Sequence, residues 1–143
     1  MIRPVFSSLR AAALCLVTAG SVAVALPAVA ETPLVGTYTV QGIAANGSVA
    51  YTGKTTVIPT GQTYRVEWSL SNGREQYIGT GIRTGDTFAV VYTPPKNAPN
   101  AAANANAIGL VVYTIQSNGA LTGYYTSHGA KTVSAEAWNP ARF

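Results

Sequence analysis

The residues that could do nucleophilic or acid–base chemistry are few in this chain and widely spaced. His128 is the only histidine, and it lies beside Gly129 in a stretch that is typical of a turn. A serine nucleophile at Ser127 or Ser134 would need this histidine as its base and a carboxylate to orient the ring. A lone histidine in a turn is more often a solvated side chain, so we expect no catalytic residue here.

Four carboxylates could supply the acid pair that glycoside hydrolysis requires, namely Glu67, Glu75, Asp86 and Glu136. Glu67 falls on the polar face of its predicted strand, where it looks like the cross-strand partner of a basic residue. One histidine and five scattered acidic residues make a metal site unexpected as well. The sequence therefore predicts a protein that is not an enzyme, with no catalytic, cofactor-binding or metal-binding residue.

Tyrosine and tryptophan are the side chains best suited to binding a sugar, a peptide or another protein. Four tyrosines follow a spacing of 13 residues, at Tyr38, Tyr51, Tyr64 and Tyr77. One strand and one turn per repeat explain this spacing, and we expect most of the rings to face the core. Trp138 and Glu136 are two residues apart on one predicted strand, so their side chains share a face. Because one of them is a carboxylate, this predicts that one end of the strand is exposed.

Short strands separated by turns account for the chain from Glu31 to Phe143, and no window shows a helical period. Alternation is clearest in "TYRVEWSL", where every second residue from Tyr64 to Leu70 is large and apolar or aromatic. The predicted strands are Gly36–Ile43, Val49–Ile58, Thr63–Leu70, Gln76–Arg83, Thr87–Thr93, Ile108–Gln116, Leu121–Ser127 and Thr132–Trp138.

Asn-Gly pairs at Asn46, Asn72 and Asn118 supply the positive φ angles that tight hairpins require. Sequential hairpins predict an all-β fold: a single-domain, antiparallel, up-and-down meander of about eight strands that closes into a small barrel. The barrel domain is expected to span residues 31–143.

Glycines lie inside several predicted strands, at Gly53, Gly79, Gly81 and Gly123. They either relieve crowding at bends or give an aromatic ring room to lie across the backbone. Because a tyrosine precedes both Gly53 and Gly79 by two residues, the second reason is favoured there. The stretch "GTGIRTG" is not followed by a helix, so it does not indicate a phosphate-binding loop.

The segment "TPPKNAPNAAANANA", Thr93 to Ala107, interrupts the strand pattern with three prolines and four asparagines. Long loops in compact domains are usually functional or disordered, and this composition favours disorder over residues 94–107.

The N-terminus has the pattern of a secretory signal peptide, residues 1–30. Arg3 and Arg10 give it a basic start, and the apolar run Ala11–Leu26 is shorter than the ~20 residues of a spanning helix. Small residues at Ala28 and Ala30 mark a cleavage site. The sole cysteine, Cys15, falls inside this leader, so the exported chain has no disulfide. We expect a periplasmic or extracellular protein.

Charge does not favour a nucleic-acid partner. Of nine basic residues, the loss of Arg3 and Arg10 leaves seven against five acidic ones, so the net charge falls from +4 to +2. The remaining basic residues are scattered and form no patch.

Short motifs of glycines and aromatic residues recur over most of the exported chain: "GTYTV" (Gly36–Val40), "GQTYRVEW" (Gly61–Trp68), "GTGI" (Gly79–Ile82), "AVVY" (Ala89–Tyr92), "GLVVYTIQSNGALTGYY" (Gly109–Tyr125) and "EAWNP" (Glu136–Pro140). Together they resemble a family of small exported bacterial β proteins commonly labelled fibronectin-binding proteins. The resemblance implies a non-catalytic, adhesin-like module that binds an extracellular matrix protein such as fibronectin. It assigns no partner-binding residue, and the long Asn/Ala loop departs from the family pattern.

Other functions remain open. A lipocalin-like carrier would hold a small apolar ligand in a hollow barrel. A structural or inhibitory protein of the cell envelope would have a filled interior, and a small hydrolase would depend on His128 or Glu67. An outer-membrane barrel would suit the terminal Phe143, but Pro140, the short strands and tyrosines near mid-strand argue against it.

Overall fold

The computed structural model describes residues 30–103 and 107–141. The predicted signal peptide lies outside the described residues, apart from Ala30. Eight strands follow one another: β1 (Gly36–Ile43), β2 (Val49–Thr60), β3 (Thr63–Leu70), β4 (Glu75–Thr84), β5 (Thr87–Thr93), β6 (Gly109–Ile115), β7 (Leu121–Ser127) and β8 (Ser134–Pro140).

Each strand pairs antiparallel with the next, and β8 pairs antiparallel with β1, so the meander closes into a barrel. The predicted fold class is confirmed. The last strand ends at Pro140, two residues later than predicted. A proline is tolerated there because the final residue of a strand need not donate to the ladder.

Tight turns form where the sequence places Asn-Gly. Gly47 and Gly119 take φ angles of 81° and 82°, in the left-handed region that glycine adopts readily. The Asn46 and Asn118 side chains accept hydrogen bonds from backbone N–H groups two residues on, at 3.0 Å each. The third pair lies in a short 3₁₀ turn, Ser71–Gly73, instead of a two-residue hairpin.

Buried side chains from seven strands form one core, and β4 adds the partly buried Tyr77. Trp138 is at its centre and is fully buried, with ring centroids 4.3 Å from Tyr113, 5.5 Å from Tyr38 and 5.8 Å from Trp68. Aromatic pairs at such separations add to the stabilisation that burial itself provides. The expectation that most rings face the core is met; Tyr124, which points outward, is an exception.

Three of the four glycines singled out in the sequence do lie against aromatic rings: Gly81 against Phe88, Gly123 against Tyr113 and Gly79 against Trp68. None of these rings belongs to the tyrosine two residues earlier. The Tyr51 ring covers Gly42, its register partner on β1, and the Tyr92 ring covers Gly109, its partner on β6. Gly53 faces the backbone of β3 instead, so the prediction of a tyrosine two residues earlier was wrong. Residues two apart on one strand are about 7 Å apart, whereas cross-strand partners approach within about 5 Å.

The two ends of the barrel differ. The closed end carries the β2–β3, β4–β5 and β6–β7 turns, and the N-terminal segment Glu31–Val35 packs there. Leu34 is buried in the core, and its carbonyl accepts a 2.7 Å hydrogen bond from the Tyr38 hydroxyl. Arg83 Nη1 donates to the Thr32 carbonyl at 2.6 Å, which fixes the segment to β4.

The open end carries the β1–β2, β3–β4, β5–β6 and β7–β8 connections. Among the described residues, none form a helix long and apolar enough to cross a membrane. The β5–β6 segment, for which composition favours disorder, has turns over residues 96–103, while residues 104–106 lie outside the described part.

One side chain attaches the β5–β6 segment to the sheet. Asn100 is buried, its Oδ1 accepts from the Gln76 N–H at 3.0 Å, and its Nδ2 donates to the Gln76 carbonyl at 3.2 Å. The pairing of β4 with β5 begins only at Ile78. The Asn100 amide therefore substitutes for the missing strand partner of Gln76.

Candidate functional site: an aromatic cavity at the open end

A cavity of about 120 Å³ lies inside the open end of the barrel. An engineered cavity of about 150 Å³ is known to hold benzene, so this space suits a small molecule or one end of a larger one. Six aromatic side chains line it: Tyr51, Trp68, Tyr77, Tyr92, Tyr113 and Tyr125. Two carboxylates, Glu75 and Glu136, complete its polar lining together with Ser127.

Strand parity explains how these side chains converge. Seven strands, β2 to β8, each contribute inward-facing residues near the open end. The first strand contributes Gly42 there, and Tyr51 fills the space that a side chain would occupy. The cavity is therefore built from residues that are distant in sequence, and it exists because the sheet closes.

The tyrosine spacing has a consequence that the sequence did not suggest. Tyr38, Tyr51, Tyr64 and Tyr77 are each the second or third residue of their strand, not mid-strand as expected. Because successive strands run in opposite directions, their first residues alternate between the two ends of the barrel. Tyr51 and Tyr77 thus line the open-end cavity, whereas Tyr38 and Tyr64 pack toward the closed end.

Glu136 forms the floor of the cavity. Its side chain is 5% exposed, yet its carboxylate accepts three hydrogen bonds. Oε2 accepts from the Tyr51 hydroxyl at 2.5 Å, and Oε1 accepts from the Tyr113 hydroxyl at 2.5 Å and from Trp138 Nε1 at 2.6 Å. Three neutral donors replace water around a buried acid, which is the usual condition for tolerating such a group.

The expectation of an exposed strand end at Trp138 and Glu136 was wrong, since both are buried. Strand alternation correctly placed both side chains on one face, and the pairing of β8 with β1 turns that face inward. A carboxylate two residues before a tryptophan, on the same face of one strand, is the signal that could have identified this site.

Burial raises the pKa of four cavity tyrosines, Tyr51, Tyr77, Tyr92 and Tyr113. It raises the pKa of Tyr92 to about 12. Burial and then the neighbouring Glu136 carboxylate raise the pKa of Tyr51 and of Tyr113. A phenol with a raised pKa remains a hydrogen-bond donor at neutral pH. The cavity therefore presents neutral rings around fixed carboxylates.

Glu75 lies at the rim and is half-buried. Its Oε1 accepts from Ser71 Oγ at 3.1 Å, and its Oε2 accepts a long hydrogen bond from the Tyr77 hydroxyl at 3.5 Å. Burial, followed by the Glu75 charge, raises the pKa of Tyr77. Glu75 is thus held more loosely than Glu136 and is nearer to solvent.

Within the described residues, neither carboxylate is paired with a basic side chain. In the described part of the chain, the ion pairs join Arg65 to Glu67 and Arg83 to Glu31, both away from the cavity. The basic residues on open-end loops, Arg74, Lys96 and Lys131, are exposed and do not line it. The formal charge of the cavity wall is therefore negative.

The other sequence candidates are not brought together. Glu67 is on the outer wall, where it pairs at 2.7 Å with Arg65 of its own strand instead of a cross-strand residue. Asp86 is exposed in a closed-end turn, and Ser134 is exposed at the start of β8. Ser127 reaches the cavity, while His128 is exposed in the next turn. In residues 30–103 and 107–141, no group of acidic, histidine or cysteine side chains could hold a metal ion.

These features define a closed antiparallel barrel with an internal cavity at one end. No protein-family model and no curated sequence matches the chain. Its fold is similar to that of the redesigned β-barrel mFAP1 bound to DFHBI, with a TM-score of 0.55, 21% identity, and coverage of 74% of this chain and 94% of that one.

A second redesigned β-barrel, b11L5F_LGL, gives a TM-score of 0.57 at 20% identity and covers 76% of this chain and 92% of its own. A third, mFAP0 bound to DFHBI, gives 0.52 at 21% identity, with 74% and 98% covered. These similarities establish the small-barrel fold.

Proposed function

We propose that this protein is a non-catalytic binding protein that holds a small molecule in the open-end cavity. The observation that carries the proposal is the cavity itself, with six aromatic side chains and two carboxylates converging on one space. Ligand sites are typically concave, mostly apolar or aromatic, and furnished with a few placed polar groups. This arrangement corresponds to the carrier alternative more closely than to an adhesin.

Packing supports the same proposal. Protein interiors are normally filled to crystal-like density. Toward the closed end, the core contains the fully buried Phe88 and the buried Leu34. An empty space inside the open end, lined mostly by aromatic rings and polar groups, leaves its wall without packing contacts that a filled structural barrel would retain. A ligand would restore those contacts.

The similar barrels add support at the level of fold. Two of them, mFAP1 and mFAP0, are bound to DFHBI. A barrel of this size is thus compatible with small-molecule binding, although the choice of ligand depends on the lining of each cavity.

Fibronectin binding and export remain predictions from the sequence. Closure of β8 on β1 leaves no free strand edge among the described strands for a partner to extend. A matrix protein would therefore have to contact loops or the open end. Immobilised fibronectin beside an unrelated matrix protein, over a salt series, is the direct assay.

A ligand screen by thermal shift and tryptophan fluorescence tests the proposed function. Trp68 lines the cavity, so an occupant should alter its emission. Val111→Phe places a ring into the cavity and should abolish binding of every hit. Val112→Phe is the matched control, because the neighbouring residue points outward and should leave binding unchanged.

If Val111→Phe fails to fold, Ser127→Phe at the rim provides the same block. Hits that bind equally to the blocked and control variants would place binding outside the barrel and overturn the proposal. The absence of any hit from a chemically broad screen would also contradict it.

A further inference from the structure

We propose that the ligand of the open-end cavity is a small organic cation, a substituted ammonium group enclosed by aromatic rings and facing carboxylates. This inference rests on the proposed function and specifies the ligand's chemical class. It is derived from the charge and geometry of the cavity wall.

The rings are arranged as an enclosure and not as a stack. Tyr77 and Tyr92 meet edge to face, with centroids 5.5 Å apart and planes at 82°. Trp68 and Tyr92 are 5.9 Å apart at 56°, and Tyr51 and Tyr125 are 6.5 Å apart at 61°. Rings turned in different directions around one space present several π surfaces to an occupant, as aromatic cages for quaternary ammonium ligands do.

The polar groups select the sign of the charge. Glu75 and Glu136 both line the cavity, and in the described residues neither has a basic partner. An anionic head group would meet two carboxylates with no compensating cation, and a neutral ligand would leave them uncompensated. A cation would gain attraction from both, strengthened by the low dielectric of a partly buried site.

Glu136 also has capacity for one more contact. A carboxylate offers about four lone-pair positions, and Tyr51, Tyr113 and Trp138 occupy three of them. The long 3.5 Å hydrogen bond from Tyr77 leaves Glu75 with a weakly held oxygen at the rim. One acid on the floor and one at the rim therefore face a cation from two sides.

Three probes of matched shape test this inference: choline, its uncharged carbon isostere dimethylbutanol, and the corresponding carboxylate, dimethylbutanoate. Isothermal titration calorimetry on the full chain should give choline an affinity at least about 10-fold above the neutral isostere. Dimethylbutanoate should bind more weakly still.

Variants separate the contribution of the Glu75 charge to choline binding from that of the Tyr77 ring. Glu75→Gln should weaken choline binding about 10-fold and leave dimethylbutanol unaffected, whereas Glu67→Gln on the outer wall changes neither. Tyr77→Leu should weaken choline binding, and Tyr77→Phe, which keeps the ring, should retain it. Glu75 lies at the rim, so this test does not depend on whether a Glu136 variant folds.

The outcomes distinguish this inference from the proposed function. If dimethylbutanol or dimethylbutanoate binds as tightly as choline and Val111→Phe blocks it, the barrel binds small molecules but the cationic assignment is wrong. If none of the three binds, or if Glu75→Gln and Glu67→Gln behave alike, the cationic assignment is also overturned. The broad screen then decides the proposed function independently.

Discussion

The closed end and the open end of this barrel use the same strand alternation with different side chains. At the closed end, the fully buried Phe88 packs edge to face on Tyr64, with ring centroids 5.6 Å apart, and Leu34 is also buried in the core. At the open end, rings with hydroxyls surround about 120 Å³ of space and two acids. We expect the closed end to contribute more to stability than the open end, whose cavity is the proposed binding site.

Glu136 and Trp138 lie where the two regions meet. Trp138 packs against Tyr38 on the closed side and donates to Glu136 on the cavity side. The polar network of the open end is thus anchored in the apolar core, which restricts the cavity wall to one arrangement.

Truncating a ring at each end is the strongest test of this division. Phe88→Ala should lower the free energy of unfolding by about 3–5 kcal/mol, because it removes a fully buried ring and leaves a cavity. Tyr125→Ala removes a partly buried ring that already borders empty space, so its cost should stay below about 2 kcal/mol. Urea unfolding measures both, and equal costs would contradict the division.

Glu136→Gln tests whether the hydrogen bonds of Glu136 anchor the open end to the core. An amide cannot accept all three hydrogen bonds, so at least one buried donor loses its partner, at a cost of about 1–3 kcal/mol. Glu75→Gln at the rim should cost less than about 1 kcal/mol. If Glu136→Gln stabilises the protein in urea unfolding, the desolvation of the buried charge outweighs its hydrogen bonds, and the anchoring role is wrong.

Asn100→Ala tests how the β5–β6 segment is held over the open end. Losing both hydrogen bonds to the Gln76 backbone should cost about 1–2 kcal/mol and speed hydrogen exchange at the Gln76 amide. Asn97→Ala, an exposed residue on the same segment, should change stability by less than about 0.5 kcal/mol. If hydrogen exchange at the Gln76 amide is unchanged, Asn100 does not take the place of a strand partner for Gln76.

Alkaline pH gives the mildest test. Tyrosine in the unfolded chain ionises near pH 10, whereas burial raises the pKa of Tyr92 to about 12 in the fold. The unfolded state therefore binds fewer protons in this window, and stability that is complete below about pH 10 falls as pH rises toward 12.

Tyr92→Phe removes this group and should make the urea midpoint fall less between pH 9 and pH 11 than in the wild type. The same variant at pH 8 is the control, where the midpoint should barely change because the hydroxyl's hydrogen bond to Thr126 is long, at 3.4 Å. An identical alkaline loss in both proteins would show that Tyr92 is not shielded from solvent.

Local patterns were sufficient to predict most of the fold. Alternation identified eight strands, and Asn-Gly pairs located turns, because side-chain direction and positive φ angles depend on adjacent residues alone. The same reasoning misjudged the glycine contacts, since cross-strand partners such as Gly42 and Tyr51 are set by register. It also placed Glu136 at an exposed strand end, because alternation alone does not say which face a closing strand turns inward.

The sequence by itself thus determined an antiparallel meander with aromatic residues on its inner face, a consequence of period-two alternation and turn chemistry. Only the tertiary structure decided that Tyr51, Tyr77 and Glu136 meet at one end and that Phe88 and Leu34 are buried in the core toward the other. The physical reason is that a cavity is what remains when side chains from seven strands fail to fill a closed volume. The size and lining of the cavity depend on all seven strands together and cannot be inferred from any one segment.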